Sequence, residues 1–264
     1  MLYRAVEANL RGAMRCYARV SPRGEARDYP GLTVASCGMN CAVFNSAMLT
    51  RPADSDDLRR LLAMSQLHFR QRSLGWTFWL CEDMLTDSAT QAVRNALRDA
   101  GLALIAQPPG MYASALQPPR RAAARIAIRE VNNPAVMLDF AHLSSVIFNL
   151  PFGTARSIYA VPELWTGDMR GWVGYLDSQA VCIATVVIAG GVAGVYSVGT
   201  LPAFQCRGYA ESIMRHGLAR AREDSGIEET VLQSTPEGMS LYTRLGYVPV
   251  TRFGVYLQEG PAVH

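Results

Sequence analysis

The segment Gln205-Cys206-Arg207-Gly208-Tyr209-Ala210 has the composition of an anion cradle. It follows the β-branched run Val195 to Thr200 and leads into Glu211 to Asp224, where Ile213, Met214, Gly217, Leu218 and Ala221 recur at helical spacing. A chain turning from strand to helix presents unpaired backbone N–H groups at the positive end of the helix dipole, and together these attract anionic oxygens. Gly208 removes a side chain where the backbone must approach the anion, Ala210 keeps the first turn small, and Arg207 can add a charge-assisted contact. Cys206 has no His close by in sequence to activate it, so its expected contribution is a backbone N–H and not a nucleophilic thiolate. The same residue types also suit an ordinary strand-to-helix turn, so the segment needs support from the rest of the chain.

That support begins with the elements that must position it. Arg125 to Glu130 alternates like a strand, and Ala135 to Leu150 has helical spacing through Val136, Phe140, Leu143 and Ile147. Ser157 to Trp165 reads as a second, short helix. Trp172 to Leu176 and Val181 to Ile188 read as strands around a turn at Asp177 to Gln179, followed by the strand Val195 to Thr200. Thr230 to Gln233 is a strand, Met239 to Arg244 a short helix ended by Gly246, and Tyr247 to Leu257 a last strand. This order predicts an α/β fold with a mixed central sheet. Ala180 to Gly199 carries no charge over 20 residues, long enough for a membrane helix, yet its β-branched content and the Gly190-Gly191 break favour two buried strands.

The cradle resembles the Gln/Arg-x-x-Gly-x-Gly/Ala pattern of the GNAT superfamily of acyl-CoA N-acyltransferases. Thr235 to Tyr247, TPEGMSLYTRLGY, resembles that family's segment after the fifth strand, where a small helix carries L-Y-x-x-L-G-Y/F. The likeness covers about residues 125 to 257. It implies an acetyl-CoA site in which the amides of Gln205, Cys206, Arg207, Gly208, Tyr209 and Ala210 hold the pyrophosphate, and the backbone of Val198, Gly199 and Thr200 pairs with the pantetheine arm. It also implies an amine acceptor and direct attack, with Tyr242 donating a proton to the departing sulfur; a phenol of pKa ~10 is reasonably matched to a thiol of pKa ~8.5. A tyrosine packed in the core is the alternative for Tyr242. Ser234 and Thr235 stand where relatives often carry a polar residue that touches the pantetheine or orders water; capping the following helix or its loop fits them equally. Many relatives use a glutamate on the fourth strand as base, but that strand here offers only Tyr196 and Ser197. Asp139 is a weak substitute, and His142, among apolar neighbours, reads as a packed histidine. The missing base leaves a second reading open, a catalytically inactive acyl-CoA-binding sensor or scaffold.

The amino-terminal half repeats part of the order: strand Phe44 to Thr50, helix Asp56 to Arg72, strand Trp76 to Cys81, helix Asp87 to Ala100, strand Leu102 to Ala106. Aligning Pro52-Ala53 with Pro202-Ala203 sets Asp54 to Leu58 opposite Phe204 to Gly208, so carboxylates occupy the place of the cradle. Either a degenerate GNAT-like copy that does not bind CoA there or an ordinary capped helix accounts for Asp54 to Asp57. Trp76, Phe78 and Trp79 read as core, with Trp79 on the opposite face from the other two. The expected domains are therefore 1–106 and 125–264, with a Pro-rich linker over 107–124.

The whole chain narrows the remaining choices. Its 264 residues, half of them apolar, suit two units each able to bury a core. All positive charge is Arg, since the chain contains no Lys, and the net +3 argues against a nucleic-acid surface. The six Cys show no C-x-x-C pair and no zinc spacing, so no metal is expected and the thiols fit a cytoplasmic protein. Arg4, Arg11 and Arg15 interrupt any secretory signal, and a homodimer is left open as a further partner.

Overall fold

A computed structural model of the chain describes residues 1–86 and 91–258. Along it run α1 (Tyr3–Cys16), β1 (Glu25–Tyr29), β2 (Leu32–Ser36), β3 (Asn45–Leu49), α2 (Ser55–Arg70), β4 (Trp76–Cys81), α3 (Gln91–Asp99), β5 (Ala103–Ala106), β6 (Pro109–Ala113) and β7 (Ala127–Glu130). There follow α4 (Pro134–Ile147), α5 (Phe152–Tyr159), β8 (Met169–Leu176), β9 (Gln179–Ala189), β10 (Val192–Thr200), α6 (Tyr209–Ser225), β11 (Thr230–Gln233), α7 (Met239–Arg244) and β12 (Val248–Gln258). The expected start of the third helix at Asp87 lies outside the described residues.

Two compact units divide the chain, Met1–Cys16 with Met111–Val248 and Tyr17–Gly110 with Pro249–His264. This differs from a simple division at the Pro-rich stretch, for three reasons. The Pro-Pro pairs favour extended backbone, and the apolar residues after the first pair continue it as β6, burying Met111 and Ala113 in the core of the larger unit. Helix α1 belongs to that unit as well, since Asn9 donates to the carbonyls of Val187 (3.0 Å), Ala189 (2.9 Å) and Val192 (2.9 Å) and accepts from the Tyr196 hydroxyl (2.7 Å). Nearly all of β12, by contrast, lies in the smaller unit, where it pairs antiparallel with β4 and β5.

In the larger unit the strands lie in the order β7-β8-β9-β10-β11-β6. From β7 to β10 neighbours are antiparallel, and β10 pairs parallel with β11 through the crossover helix α6. The uncharged stretch thus becomes β9 and β10, joined at Gly190-Gly191, both with positive φ as a two-residue hairpin turn requires. Among the described residues no helix is long and apolar enough to cross a membrane. Alternation along β10 sends Ala193 and Val195 into clusters with Ile213 and Met214 of α6, while Gly194 faces Asn9 of α1 and Gly199 faces Ile147 of α4. Helix α6 therefore covers one face of this sheet, and α1 with α4 the other. The second short helix starts earlier than expected, at Phe152, because Pro151 sets its first turn; a separate 3-10 turn covers Pro162–Trp165.

In the smaller unit the order is β1-β2-β3-β4-β12, with β5 also on β12. Strands β1 to β3 are antiparallel and β3 pairs parallel with β4 through α2, the same connectivity as β8-β9-β10-α6-β11. Phe69 of α2 stacks on Trp76 (5.0 Å between centroids), which meets Phe78 edge-on, so these aromatics are core, whereas Trp79 turns toward Phe253.

Candidate active site

Everything that could hold an acyl donor follows from how β10 ends. Its parallel pairing with β11 covers only Ala193↔Thr230 and Gly194↔Val231, after which the two strands part. On the other edge β10 stays paired with β9 as far as Thr200↔Cys182, across a register shift between Tyr196 and Gly199 where Ser197 adopts φ +48°. The β11-side edge from Val195 onward therefore presents main-chain groups that a ligand with its own amides can pair. At Gly199 a Cβ would stand 2.5 Å from Cγ2 of Ile147, so α4 approaches the strand at a distance only glycine permits.

After β10 the chain makes a short 3-10 turn at Pro202–Phe204 and then the cradle. Cys206 (φ +61°) and Gly208 (φ +84°) are both left-handed, an arrangement that turns successive N–H groups into one concavity. Gly208 is the N-cap of α6 and brings no side chain to cap it, so among the described residues the first-turn N–H groups at the positive end of the dipole have no side-chain cap. Tyr209 is buried in the core beneath. The carboxamide of Gln205 donates to the Thr200 carbonyl (3.3 Å) and ties the loop to the strand end. Arg207 donates to the Ala203 carbonyl (3.1 Å) and lies over the Phe204 ring.

A cavity of about 340 Å³ joins these parts. Val198, Gly199, Thr200, Gln205, Cys206, Gly208, Tyr209, Ala210, Thr235 and Tyr242 all line it. Two expected residues do not. Arg207 is turned back onto its own loop, and Ser234 is buried, its hydroxyl donating to the Thr235 carbonyl (2.7 Å). Thr235 accepts from the Gly238 amide (3.3 Å), the loop-capping role, while also facing the cavity. Burial pushes the Tyr242 phenol up to about 12, and its ring meets Tyr247 edge-on at 6.0 Å. At neutral pH this group is a protonated donor at the cavity wall.

The base remains unfilled. Tyr196 is half-buried and donates its hydroxyl to Asn9 (2.7 Å). Asp139 accepts from the Tyr175 hydroxyl (2.7 Å). His142 is exposed, with an edge contact to Phe152 at 5.9 Å, and is not the packed histidine expected from its apolar neighbours, because it falls on the outward side of α4. Glu237 lines the cavity, but hydrogen bonds from its own backbone and from Thr235 hold its carboxyl below the usual range, a poor setting for a base. Reading the sequence also missed Arg121, Glu211 and Arg244 as cavity residues. The signal was present for Arg121, in the adjacent Arg120-Arg121 pair behind Pro118-Pro119, but that stretch reads as linker.

Comparison with known proteins finds likenesses of sequence and of fold. Residues 138–247 match the model of the Acetyltransferase (GNAT) family. In structure the chain resembles a GCN5-related N-acetyltransferase from Kribbella flavida (TM-score 0.71, 18% identity, covering 98% of this chain and 95% of that one). It also resembles a GCN5-related N-acetyltransferase from Sphaerobacter thermophilus (TM-score 0.56, 15% identity, 88% and 78% covered). A tandem GNAT protein from the clavulanic acid biosynthesis pathway is similar as well (TM-score 0.55, 12% identity, 92% and 85% covered). No curated protein sequence matches. The fold of the whole chain is thus of the GNAT type, and residues 138–247, which contain the strand fork, the cradle and Tyr242, form a domain of the GNAT acetyltransferase family.

Proposed function

We propose that the protein moves an acetyl group from acetyl-CoA to an amine acceptor by direct attack, with Tyr242 as general acid. The observation that carries this reading is the continuity of one cavity from the open edge of β10, past Tyr242, to the uncapped end of α6. Bound there, acetyl-CoA would supply an activated acyl carbon. The backbone of Val198 to Thr200 would hold the pantetheine amides, and the N–H groups from Gln205 to Ala210 the pyrophosphate. As the C–N bond forms and the C–S bond breaks, the Tyr242 hydroxyl gives its proton to sulfur and recovers one from the amine nitrogen. Ser234 acts by shaping the Thr235 loop, and Arg207 by stiffening the cradle. No metal enters this chemistry as proposed, and six cysteines outside any disulfide fit a cytoplasmic setting.

A second reading, a CoA-binding sensor without turnover, draws on the lack of a carboxylate on β10. One paired measurement separates them: calorimetric titration of acetyl-CoA, and thioester consumption across a panel of amines, for the wild type and Tyr242→Phe. The enzyme reading expects micromolar binding by both proteins and a turnover lower by about 100-fold or more in the variant, the usual scale for a lost general acid. Because the phenol ionises only near 12, turnover should not fall between pH 8 and 10 through loss of this proton. Binding without turnover on any amine supports the sensor; equal turnover in Tyr242→Phe removes the acid role.

A further inference from the structure

Beside the cavity lies a second, smaller one of about 200 Å³, lined by Pro118, Arg120, Arg121, Glu211, Arg215 and Arg244. Arg121, Glu211 and Arg244 line both, so the two are contiguous. Four arginines against one glutamate leave a local charge of +3 (4 − 1), equal to the net charge of the entire chain, so the remainder is neutral on balance. Glu211 is already engaged with Arg215 (2.9 Å). Arg244 donates only to the carbonyl (3.0 Å) and hydroxyl (3.4 Å) of Ser240, and among the described residues Arg120 and Arg121 form no ion pair. Concentrating cations in this way raises the energy of the folded protein unless an anion joins them.

The segment that carries Arg120 and Arg121 is also held in place. Upstream, the Gln117 amide donates to the Leu245 carbonyl (2.9 Å) just after α7; downstream, the Ala124 amide donates to the Ser212 hydroxyl on α6 (3.0 Å). Pro118-Pro119 limits the backbone between these anchors. The strap thus carries two unpaired guanidinium groups to the rim of the cradle, on the side of the α6 first turn.

We propose that this arginine bay binds the 3′-phosphate of the CoA nucleotide, making the protein selective for CoA over its 3′-dephospho form. The proposal rests on the acetyl-CoA reading above. A phosphate monoester is dianionic near neutral pH and presents three acceptor oxygens, which suits several forked guanidinium donors better than a single point charge. In CoA that group hangs from the ribose, beyond the pyrophosphate, which places it outside the cradle and within reach of an adjoining pocket.

The test is calorimetric titration of acetyl-CoA and of 3′-dephospho-acetyl-CoA into the full chain, the Arg120→Ala/Arg121→Ala double variant and the Arg120→Lys/Arg121→Lys variant. The wild type should prefer acetyl-CoA by roughly tenfold or more at low salt, narrowing as ionic strength rises because the bay is open to solvent. In the alanine variant that preference should fall to about threefold or less, because acetyl-CoA loses more affinity than the dephospho form. The lysine variant should recover part of it. With saturating amine, the loss should enter KM for acetyl-CoA more than kcat. Equal wild-type affinity for both forms overturns this inference and leaves the acetyl-CoA reading standing. Failure of both to bind removes that reading and this one together.

Discussion

The passage from strand through loop and helix to parallel strand occurs twice in this chain, and the two versions differ where an anion would sit. Between β10 and α6 the loop spans residues 201–208, and between β3 and α2 it spans 50–54, eight residues against five. The longer loop places left-handed residues at 206 and 208 and leaves its helix uncapped. The shorter ends on Asp54, whose carboxylate accepts from the amides of Asp56 (3.1 Å) and Asp57 (2.8 Å). Asp57 is fixed in turn by Arg51 (2.6 Å) and Arg60 (2.9 Å), which hold its carboxyl down to about 2. The strands differ too, since β3 and β4 remain paired through Met48↔Trp79, one residue before β3 ends, whereas β10 and β11 part early. One helix end offers its N–H groups to a ligand and the other satisfies them internally while adding negative charge. Shared connectivity therefore gives the two units their similar architecture, and three loop residues with one acid decide which helix keeps its first-turn amides free of a side-chain cap.

The comparison is most exposed at Gly208. An aspartate there would impose on the larger unit what Asp54 does in the smaller, a carboxylate on the first-turn amides, at a position of φ +84° that carries a strain of about 1 kcal/mol for most residues. Affinity for acetyl-CoA should drop at least ~100-fold in Gly208→Asp, with no comparable fall in melting temperature. Calorimetry and a thermal melt on the same sample read both. If binding survives, the free helix end is not what distinguishes the two junctions.

Gly199 tests the fork separately from the cradle. It occupies the penultimate position of β10, where β3 carries the buried Met48, so the smaller unit fills with a side chain the place the larger one leaves to α4. Gly199→Ala should cost roughly 1–3 kcal/mol by overpacking, because its Cβ would meet Ile147. Adding Ile147→Ala should recover most of that loss. Urea unfolding of the two single variants and the double one measures the coupling, and strict additivity would show that the contact does not set the strand position.

Much of this contrast was legible in the sequence, because its carriers are local. The Gln205 to Ala210 motif, the Gly190-Gly191 break and the helical spacing of Ile213, Met214, Leu218 and Ala221 report directly on backbone conformation and burial. What escaped depends on distant partners. Strands β1 and β2 alternate weakly, and α1 owes its place to Asn9 meeting carbonyls about 180 positions away. The Pro-rich stretch reads as linker, since nothing local says that Met111 and Ala113 will find a core. Aligning Pro52-Ala53 with Pro202-Ala203 also put Leu58 opposite Gly208, whereas the two helix caps make Asp54 the counterpart; a loop shorter by three residues is invisible to a match of prolines.

That counterpart gives the smallest and most selective expectation. Asp54→Ala removes both cap bonds and should cost about 1 kcal/mol, while Asp54→Gly should cost only a few tenths more than nothing, since glycine is itself a tolerated cap. The shift in urea midpoint at unchanged slope measures it. Neither variant should alter acetyl-CoA affinity, because freeing the amides of α2 supplies neither the left-handed loop nor the parted strands that surround the amides of α6. A second binding event in the Asp54→Ala titration would show that the acid alone had closed an otherwise competent site, and that the two junctions differ by one residue and not by their loops.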